Sequence, residues 1–162
     1  MGKRIIIVRH AKSSWQYDVR DHERPLSDRG IKDAHKISHE CRKILNPDLI
    51  ISSDATRART TASIFISNLL IEKKVVHLNP NLYDFSGEKL IEVIKAFQNE
   101  LNEILIFGHN HAITFFVNKF GDKYFDNVPT CGLVIIEFDI NQWNDLKKGK
   151  TIKTMFPRDF KN

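Results

Sequence analysis

Cysteine is scarce in this chain, and so are long apolar runs. Only two of the 162 residues are cysteines, Cys41 and Cys131, which are too few for a disulfide framework or a zinc cage. No apolar run approaches the roughly 20 residues that a membrane-spanning helix needs. The opening MGKRIIIV has too short an apolar stretch for a signal peptide, and Ile6 stands where a myristoylation motif has Ser or Thr. We therefore expect a cytoplasmic protein without a membrane partner.

Positive charge exceeds negative charge, with a formal net charge of +5. Much of the excess lies in a basic C-terminal segment that comprises Lys147, Lys148, Lys150, Lys153, Arg158 and Lys161. Such a segment is typical of a solvated surface, and no aromatic-rich basic motif accompanies it, so we expect no nucleic-acid partner. Length and composition predict a single domain over residues 1–162, without internal repeats or a sizeable insertion.

Strands and helices are predicted to alternate, which indicates an α/β fold: a three-layer sandwich whose mostly parallel central sheet is flanked by helices. The predicted strands cover residues 4–8, 48–52, 75–78, 103–107, 131–140 and 150–156, with the last at an edge of the sheet. The first predicted helix follows a Ser27 cap and keeps its apolar spacing through Ile44, and the second covers residues 56–70. The third follows a Ser86 cap and carries Leu90, Ile94, Phe97 and Leu101 on one face. The fourth starts near His109 and stops at Gly121.

Basic side chains follow three of the predicted strands at the points where those strands end. Arg9 and His10 follow the first strand, Arg57 lies in the first turn of the helix after the second, and His109 follows the strand at 103–107. Ser53 is expected to cap the helix that holds Arg57. The carboxyl ends of parallel strands meet at one edge of a sheet, where ligands bind. Four such groups would repel one another in an empty pocket, whereas a phosphate dianion would neutralise them, so we predict a phosphate site.

These residue types suit phosphoryl transfer, which depends mainly on positioning and on charge stabilisation. The planar fork of arginine donors matches phosphate oxygens. A histidine that holds one ring nitrogen as a donor keeps a lone pair on the other, and can attack phosphorus, while a second, protonated histidine stabilises the oxygens. No set of carboxylates is spaced for magnesium, so the arginines could take over the role of a metal ion.

Four blocks of sequence carry a resemblance to a known family: IIIVRHAKSSW, ERPLSDRG, ISSDATRARTTA and IFGHNH, which occur in this order between residues 5 and 111. With these blocks the chain closely resembles the histidine phosphatase superfamily, which has the phosphoglycerate-mutase-like fold. The small phosphohistidine phosphatases look nearest. Ala11 stands where many members have glycine, a small change that we expect the site to tolerate.

The resemblance implies a role for each matched residue. His10 would be the nucleophile that becomes phosphohistidine, Arg9 and Arg57 would clamp the phosphate, and His109 would be the second histidine of the pocket. Arg24, in RPL, enters only through the resemblance, as a further phosphate ligand. No metal ion or other cofactor is expected.

The general acid is left open. Larger members of the family use a glutamate in a segment that resembles NLYDFSGEKL, in which Asp84 is the match but is one methylene shorter. Asp84 is equally well explained as a turn residue ahead of the next helix. Asp18, Asp21 and Glu23 are alternatives, and the resemblance to the small members also leaves open a site without a dedicated acid. A phosphohistidine substrate needs less help than an ester, because a protonated imidazole leaves readily.

We expect a metal-independent phosphatase with a covalent phosphohistidine intermediate that acts on phosphohistidine in a protein. Residues 79–88 are the only candidate lid, which favours an open site with Trp15 either at its rim or pinning the loop after the first strand. An open site also admits a sugar or nucleotide phosphate, and a phosphate-binding module without turnover is a third possibility. A mutase is disfavoured because it must keep water from its phosphoenzyme. The sequence gives no indication of oligomeric state.

Overall fold

The computed structural model describes residues 2–70 and 75–161. Within them, six strands form one sheet in the order β3-β2-β4-β1-β5-β6. The strands are β1 (Lys3–Arg9), β2 (Leu49–Ser52), β3 (Val76–Leu78), β4 (Glu103–Gly108), β5 (Leu133–Phe138) and β6 (Lys150–Met155). Strands β1 to β4 run parallel to one another, whereas β5 is antiparallel to β1, and β6 to β5. The predicted mostly parallel sheet is confirmed, and β6 lies at its edge.

Helices cover both faces of this sheet. In the described part of the chain they are α1 (Asp28–Cys41), α2 (Thr56–Asn68), α3 (Glu88–Lys95) and α4 (Ala112–Phe120). Successive side chains of a strand point to opposite faces. Ile6 and Val8 of β1 accordingly share a core with α1 and α2, while Ile5 and Ile7 share a second core with α3 and α4. The predicted three-layer sandwich is confirmed, and no helix among these residues has the length and apolar character to cross a bilayer.

Strand β1 lies in the middle of the sheet, between β4 and β5. A strand in that position is covered on both faces, which explains its uninterrupted run of isoleucine and valine. Beyond its end, the His10 amide donates to the Gly108 carbonyl at 3.0 Å, and the Cys131 amide donates to the carbonyls of Arg9 and His10, each at 3.0 Å. Cys131 has a φ of 59° and belongs to the turn before β5, so the strand predicted from residue 131 begins at Leu133.

Helix α1 begins as predicted but ends early. The Ser27 hydroxyl accepts a hydrogen bond from the Gly30 amide at 3.1 Å, which makes Ser27 the N-cap. The helix ends at Cys41, so Ile44 lies beyond it and is 42% exposed. The stripe predicted to continue through Ile44 was therefore one turn too long.

Helix α3 is shorter than its apolar spacing predicted. Gly87, with a φ of 104°, is its N-cap in place of Ser86, because the chain enters this helix through a left-handed conformation that favours glycine. The helix ends at Lys95. Phe97 and Leu101 still pack against the core, but they do so from the turns that follow the helix. Similarly, α4 begins at Ala112 instead of His109, and α2 ends at Asn68 instead of residue 70.

The first turn of α1 packs against the loop that follows His10. The Ser27 amide and hydroxyl both donate to the Lys12 carbonyl, at 2.9 Å and 3.0 Å. The Gly30 backbone approaches the same carbonyl so closely that a Cβ at Gly30 would overlap it. The contact therefore requires glycine, and it positions the loop directly after the proposed nucleophile.

We predict that Gly30→Ala lowers the free energy of unfolding by at least about 2 kcal/mol, because the added Cβ must push the Lys12 backbone away. Helix propensity alone predicts the opposite, a gain of about 1 kcal/mol. Urea unfolding followed by circular dichroism measures the difference. The matched control is Gly108→Ala, whose Cβ would meet nothing nearer than 3.7 Å. A stabilised Gly30→Ala protein would show that the predicted overlap is absent.

Candidate active site

The carboxyl ends of β1, β2 and β4 bring the predicted basic residues together. The ring centroids of His10 and His109 lie 5.3 Å apart, and Arg57 Nε lies 3.4 Å from His10 Nε2. Arg57 and His109 are almost entirely buried, with 2% and 1% of their surfaces exposed, and His10 is 7% exposed. Strand ends that are far apart in sequence thus form one basic pocket.

His10 has the protonation state of a nucleophile. Its Nδ1 lies 2.7 Å from the Ala11 carbonyl, and because a carbonyl only accepts, Nδ1 carries the ring proton. Nε2 then keeps its lone pair and faces Arg57. Burial lowers the pKa of His10 to about 3, opposed by the hydrogen bond to Ala11 and reinforced by the charges of Arg57, Arg9 and Arg24. The ring is therefore neutral at physiological pH.

His109 is oriented by Ser53, whose hydroxyl oxygen lies 2.8 Å from His109 Nε2. The same hydroxyl accepts the Ala55 amide at 3.1 Å, which leaves its one proton for the histidine. Among the described residues the Ser53 hydroxyl has no other acceptor for its proton, so we assign it as the donor to His109 Nε2, which places the His109 ring proton on Nδ1. Burial, followed by the charges of His10 and Arg57, lowers the pKa of His109 to about 2. Ser53 was expected to cap α2, but the N-cap is Ala55, and the Ser53 side chain instead links that turn to His109.

Three buried side-chain nitrogens in residues 2–70 and 75–161 have no hydrogen-bond partner: Arg9 Nε, Arg24 Nε and His109 Nδ1. All three belong to residues that the sequence assigns to the phosphate pocket. Buried polar atoms are nearly always paired, and leaving one unpaired costs about 1–3 kcal/mol. An anion with several acceptor oxygens would satisfy all three.

The arginines of the pocket are held by acceptors behind them. Arg9 donates to the Val128 carbonyl at 3.0 Å, and burial followed by the charge of Arg57 lowers the pKa of its guanidinium. Arg57 donates to the backbone carbonyl of Asp21 at 2.6 Å. Arg24 donates to the Asp21 carboxylate at 2.9 Å. These contacts orient the guanidinium groups before any ligand arrives.

Sequence reasoning did not find several residues that shape the pocket. The Ser13 hydroxyl accepts a hydrogen bond from Arg24, and Thr61 Oγ1 accepts the Ala11 amide at 3.0 Å while it donates to the Arg57 carbonyl at 2.7 Å. Both lie inside the matched sequence blocks, which is the only signal that points to them. The Thr61 contacts depend on the distance between α2 and the loop after β1, and the Ser13 contact depends on the distance between that loop and the segment before α1. Spacing in sequence reveals neither distance.

Asp84 lies where the segment before α3 turns, and its carboxylate is fully engaged there. Oδ2 accepts the amides of Gly87 and Leu90 at 3.0 Å and 3.1 Å, and Oδ1 accepts the amide and the hydroxyl of Ser86, both at 3.1 Å. Burial by itself raises the pKa of Asp84, but these hydrogen bonds outweigh burial and hold the pKa below its usual value. In the structure Asp84 is an ionised residue that caps the start of α3, and both of its carboxylate oxygens are bonded within that segment.

The other acid candidates differ in their surroundings. Asp18 is exposed, and Glu23 pairs with Arg20 at 2.6 Å on the surface. Asp21 alone among these candidates contacts the pocket. Burial raises its pKa, but hydrogen bonds from Tyr83, Arg24 and Arg57 outweigh burial and hold the pKa well below its usual value.

Aromatic side chains surround the entrance to the pocket. Tyr83 packs edge-on against His109, with ring centroids 5.2 Å apart, and Phe85 lies 5.3 Å from the same histidine and is 46% exposed. The Arg24 guanidinium carbon lies 3.7 Å from the ring centroid of Trp15, and Trp15 is 79% exposed. The contact with Arg24 fits both interpretations of Trp15, a position at the rim and a role in pinning the loop after β1.

Among the residues that the structure describes, no three histidine, cysteine, aspartate or glutamate side chains are grouped so that they could hold a metal ion. The groups that supply positive charge to balance an anion in this pocket are the arginines, since His10 and His109 are neutral.

Comparison with known proteins identifies relatives along most of the chain. Residues 5–87 match the family described as "Histidine phosphatase superfamily (branch 1)". An uncharacterized chloroplastic protein of Arabidopsis thaliana is 30% identical over 90% of this chain and 71% of its own length. The protein histidine phosphatase SixA, solved with tungstate, superposes with a TM-score of 0.83 at 17% identity over 98% of this chain and 99% of its own. The alpha-ribazole phosphatase from Shigella flexneri superposes with a TM-score of 0.65 at 18% identity, over 86% and 92%.

We predict that the buried, neutral His10 makes folding sensitive to acid. A histidine in the unfolded chain takes up a proton below its ordinary pKa of 6.5, whereas folded His10 resists protonation down to about 3. Between these values the unfolded state binds more protons, so stability falls as the pH falls. When the pH is lowered from about 7 to about 5, the free energy of unfolding of His10→Gln should therefore fall by about 1–2 kcal/mol less than that of wild type.

Urea unfolding at the two pH values measures this difference. The control is His39→Gln, a change of an exposed histidine on α1, which should keep the wild-type dependence. Identical pH dependence in wild type and His10→Gln would mean that His10 is protonated as easily in the folded protein as in the unfolded chain.

Proposed function

The chain belongs to branch 1 of the histidine phosphatase superfamily, and on that premise we propose that it is a phosphatase that works through a covalent phosphohistidine at His10 and needs no metal ion. The substrate that we propose is phosphohistidine on a protein. The observation that carries the proposal is the set of unpartnered buried nitrogens on Arg9, Arg24 and His109, beside a neutral histidine whose Nε2 lone pair faces Arg57. Together they supply an anion pocket and a nucleophile.

The reaction follows from these groups. His10 Nε2 attacks phosphorus in line, a bond forms between nitrogen and phosphorus, and the bond to the leaving group breaks with its electron pair. Arg57, which faces Nε2 in the resting pocket, transfers its donors to the phosphoryl oxygens, and Arg9 and His109 Nδ1 donate to the same oxygens. A water molecule then attacks phosphorus, which releases inorganic phosphate and restores neutral His10.

The surroundings of the acid candidates favour a phosphohistidine substrate over an alkyl ester. An alkoxide needs a proton to leave, whereas a protonated imidazole leaves without further help. Asp84 and Asp21 are both held in the ionised form by hydrogen bonds, so neither carries a proton to donate. The backbone also superposes better on a protein histidine phosphatase, with a TM-score of 0.83, than on an alpha-ribazole phosphatase, with a TM-score of 0.65, which supports this substrate class.

The proposal extends to the rest of the molecule. We propose one domain over residues 1–162 with no cap insertion, and an open pocket that a phosphorylated protein side chain can reach between Trp15 and the segment with Tyr83 and Phe85. A small phosphate ester is the second candidate substrate, because the same fold is found in the alpha-ribazole phosphatase. A module that binds without turnover is disfavoured, because pure binding does not require a neutral nucleophile at His10.

We propose a cytoplasmic location on the evidence of the cysteines. Cys41 and Cys131 are free thiols in the structure, and both are buried. Burial raises the pKa of Cys41 to about 12, so this thiol is unreactive at physiological pH. Free thiols are typical of a reducing compartment. Cell fractionation tests the location, and recovery of the protein in a secreted fraction would contradict it.

We predict that His10→Ala abolishes turnover. Loss of the nucleophile should lower kcat/KM by at least about a thousandfold. Phosphate release from a phosphohistidine protein, in buffer with EDTA, measures turnover, and an acid-labile phosphoryl label on the quenched enzyme measures the intermediate. His39→Ala, with its exposed side chain, serves as the control. Retained activity in His10→Ala would exclude the mechanism, and loss of wild-type activity in EDTA would show that a metal ion is required.

We predict that Asp84→Asn affects stability more than chemistry. The change weakens the cap of α3, at a cost of about 1 kcal/mol in unfolding free energy. It should lower kcat/KM by the same small factor on phosphohistidine and on an alkyl phosphate, because Asp84 does not protonate the leaving group. Arg57→Ala should cost on the order of 3–4 kcal/mol in the transition state on both substrates. A defect of Asp84→Asn that is much larger on the alkyl phosphate would identify Asp84 as the general acid after all.

A further inference from the structure

The carboxylate of Asp21 lies on two arginines of the proposed phosphate pocket. Oδ1 accepts a hydrogen bond from Arg24 at 2.9 Å, and Oδ2 accepts one from Arg57 at 3.0 Å. The Tyr83 hydroxyl also donates to Oδ2, at 2.6 Å. One carboxylate therefore joins Arg24, which stacks with Trp15 on one side of the entrance, to Tyr83, which packs against His109.

The donors that hold Asp21 are the donors that a phosphate would need. The arginine fork binds carboxylate and phosphate oxygens with the same geometry. All three nitrogens of the Arg57 guanidinium already have contacts, since Nε faces His10 at 3.4 Å and the other two nitrogens donate to the carbonyl and the carboxylate of Asp21. A phosphate that binds Arg57 must displace the Asp21 carboxylate or share its donors.

Asp21 stands apart from its acidic neighbours on the same segment. Asp18 is exposed, and Glu23 pairs with Arg20 at the surface. The Asp21 side chain is 47% exposed, whereas Arg57 is 2% exposed and Arg24 is 11% exposed. The carboxylate thus covers two buried guanidinium groups from the solvent side, where a phosphate would approach.

We propose that Asp21 competes with phosphate for Arg24 and Arg57, and so limits how tightly the pocket holds its product, inorganic phosphate. The inference rests on the proposed function for the identity of the anion. Between turnovers the carboxylate neutralises the arginines. When phosphate occupies the pocket, Asp21 either loses these hydrogen bonds or remains as a like charge beside the dianion, and both effects weaken binding. A pocket of arginines can in this way bind a dianion during the reaction and still release it afterwards.

The experiment is calorimetric titration of inorganic phosphate into wild type, Asp21→Asn and Asp18→Asn. Both variants remove one negative charge from the same segment, but only Asp21→Asn changes a contact with the pocket arginines. We expect Asp21→Asn to lower the Kd for phosphate about five- to tenfold, the effect of one half-exposed charged contact, and Asp18→Asn to change it less than about twofold. Asp21→Glu should restore weak binding, and the inhibition constant of phosphate in turnover should follow the same order.

The outcomes separate the inference from the proposed function. If wild type binds phosphate but folded Asp21→Asn binds it equally or more weakly, the inference is overturned, and weaker binding would make Asp21 a residue that orients the arginines. If neither wild type nor folded Asp21→Asn binds phosphate, the inference is overturned, whereas turnover and the phosphoryl label on His10 test the proposed function separately. Circular dichroism checks folding, and Asp21→Ser provides a second neutral side chain should Asp21→Asn fail to fold.

Discussion

Hydrogen-bond donors buried at the carboxyl end of β1 are the feature on which the rest of the site depends. A central strand that is covered on both faces ends at Arg9 and His10, where little water can reach their polar atoms. The backbone there is satisfied by Gly108 and Cys131, and one nitrogen of Arg9 is satisfied by Val128. What remains is a set of donors on different strand ends without acceptors. An anion is the simplest group that completes them.

The same burial sets the electrostatics of the pocket. Removal from water disfavours the charged form of a histidine, and nearby arginines disfavour it further, so His10 and His109 are both neutral. Arginine, with its far higher pKa, keeps its charge under the same conditions. The pocket therefore divides its roles by residue type: the arginines supply positive charge, one histidine supplies a lone pair, and the other supplies a neutral donor.

Packing between elements keeps these groups in position. Gly30 allows the first turn of α1 to approach the Lys12 carbonyl, and Thr61 bonds both the loop after His10 and the backbone of Arg57. Asp84, by capping α3, fixes the segment that carries Tyr83 and Phe85 against His109. Residues around the pocket thus decide where its arginines and histidines lie.

The sequence by itself determined the layers of the fold and the residues of the basic pocket. Buried strands have uninterrupted apolar runs, helix starts such as Ser27 have local chemistry, and parallel strand ends must share one edge, so Arg9, His10, Arg57 and His109 could be placed together from local patterns alone. Arg24 came only from resemblance to the family. The ends of α1 and α3 were missed, because apolar spacing continues wherever the core needs side chains, whether or not the backbone is still helical.

Only the tertiary structure decided the states and partners of the polar groups. That Ser53 orients His109, and that Asp21 reaches Arg57 as well as the nearby Arg24, depends on distances between segments far apart in the chain. The contacts of Asp84 with the start of α3 are local, in line with its interpretation as a turn residue ahead of that helix. Hydrogen bonds act over about 3 Å, and burial depends on every element packed around a site. A local pattern can identify a residue that carries a proton or a charge, but the packed fold determines which atom of that residue can donate or accept a hydrogen bond.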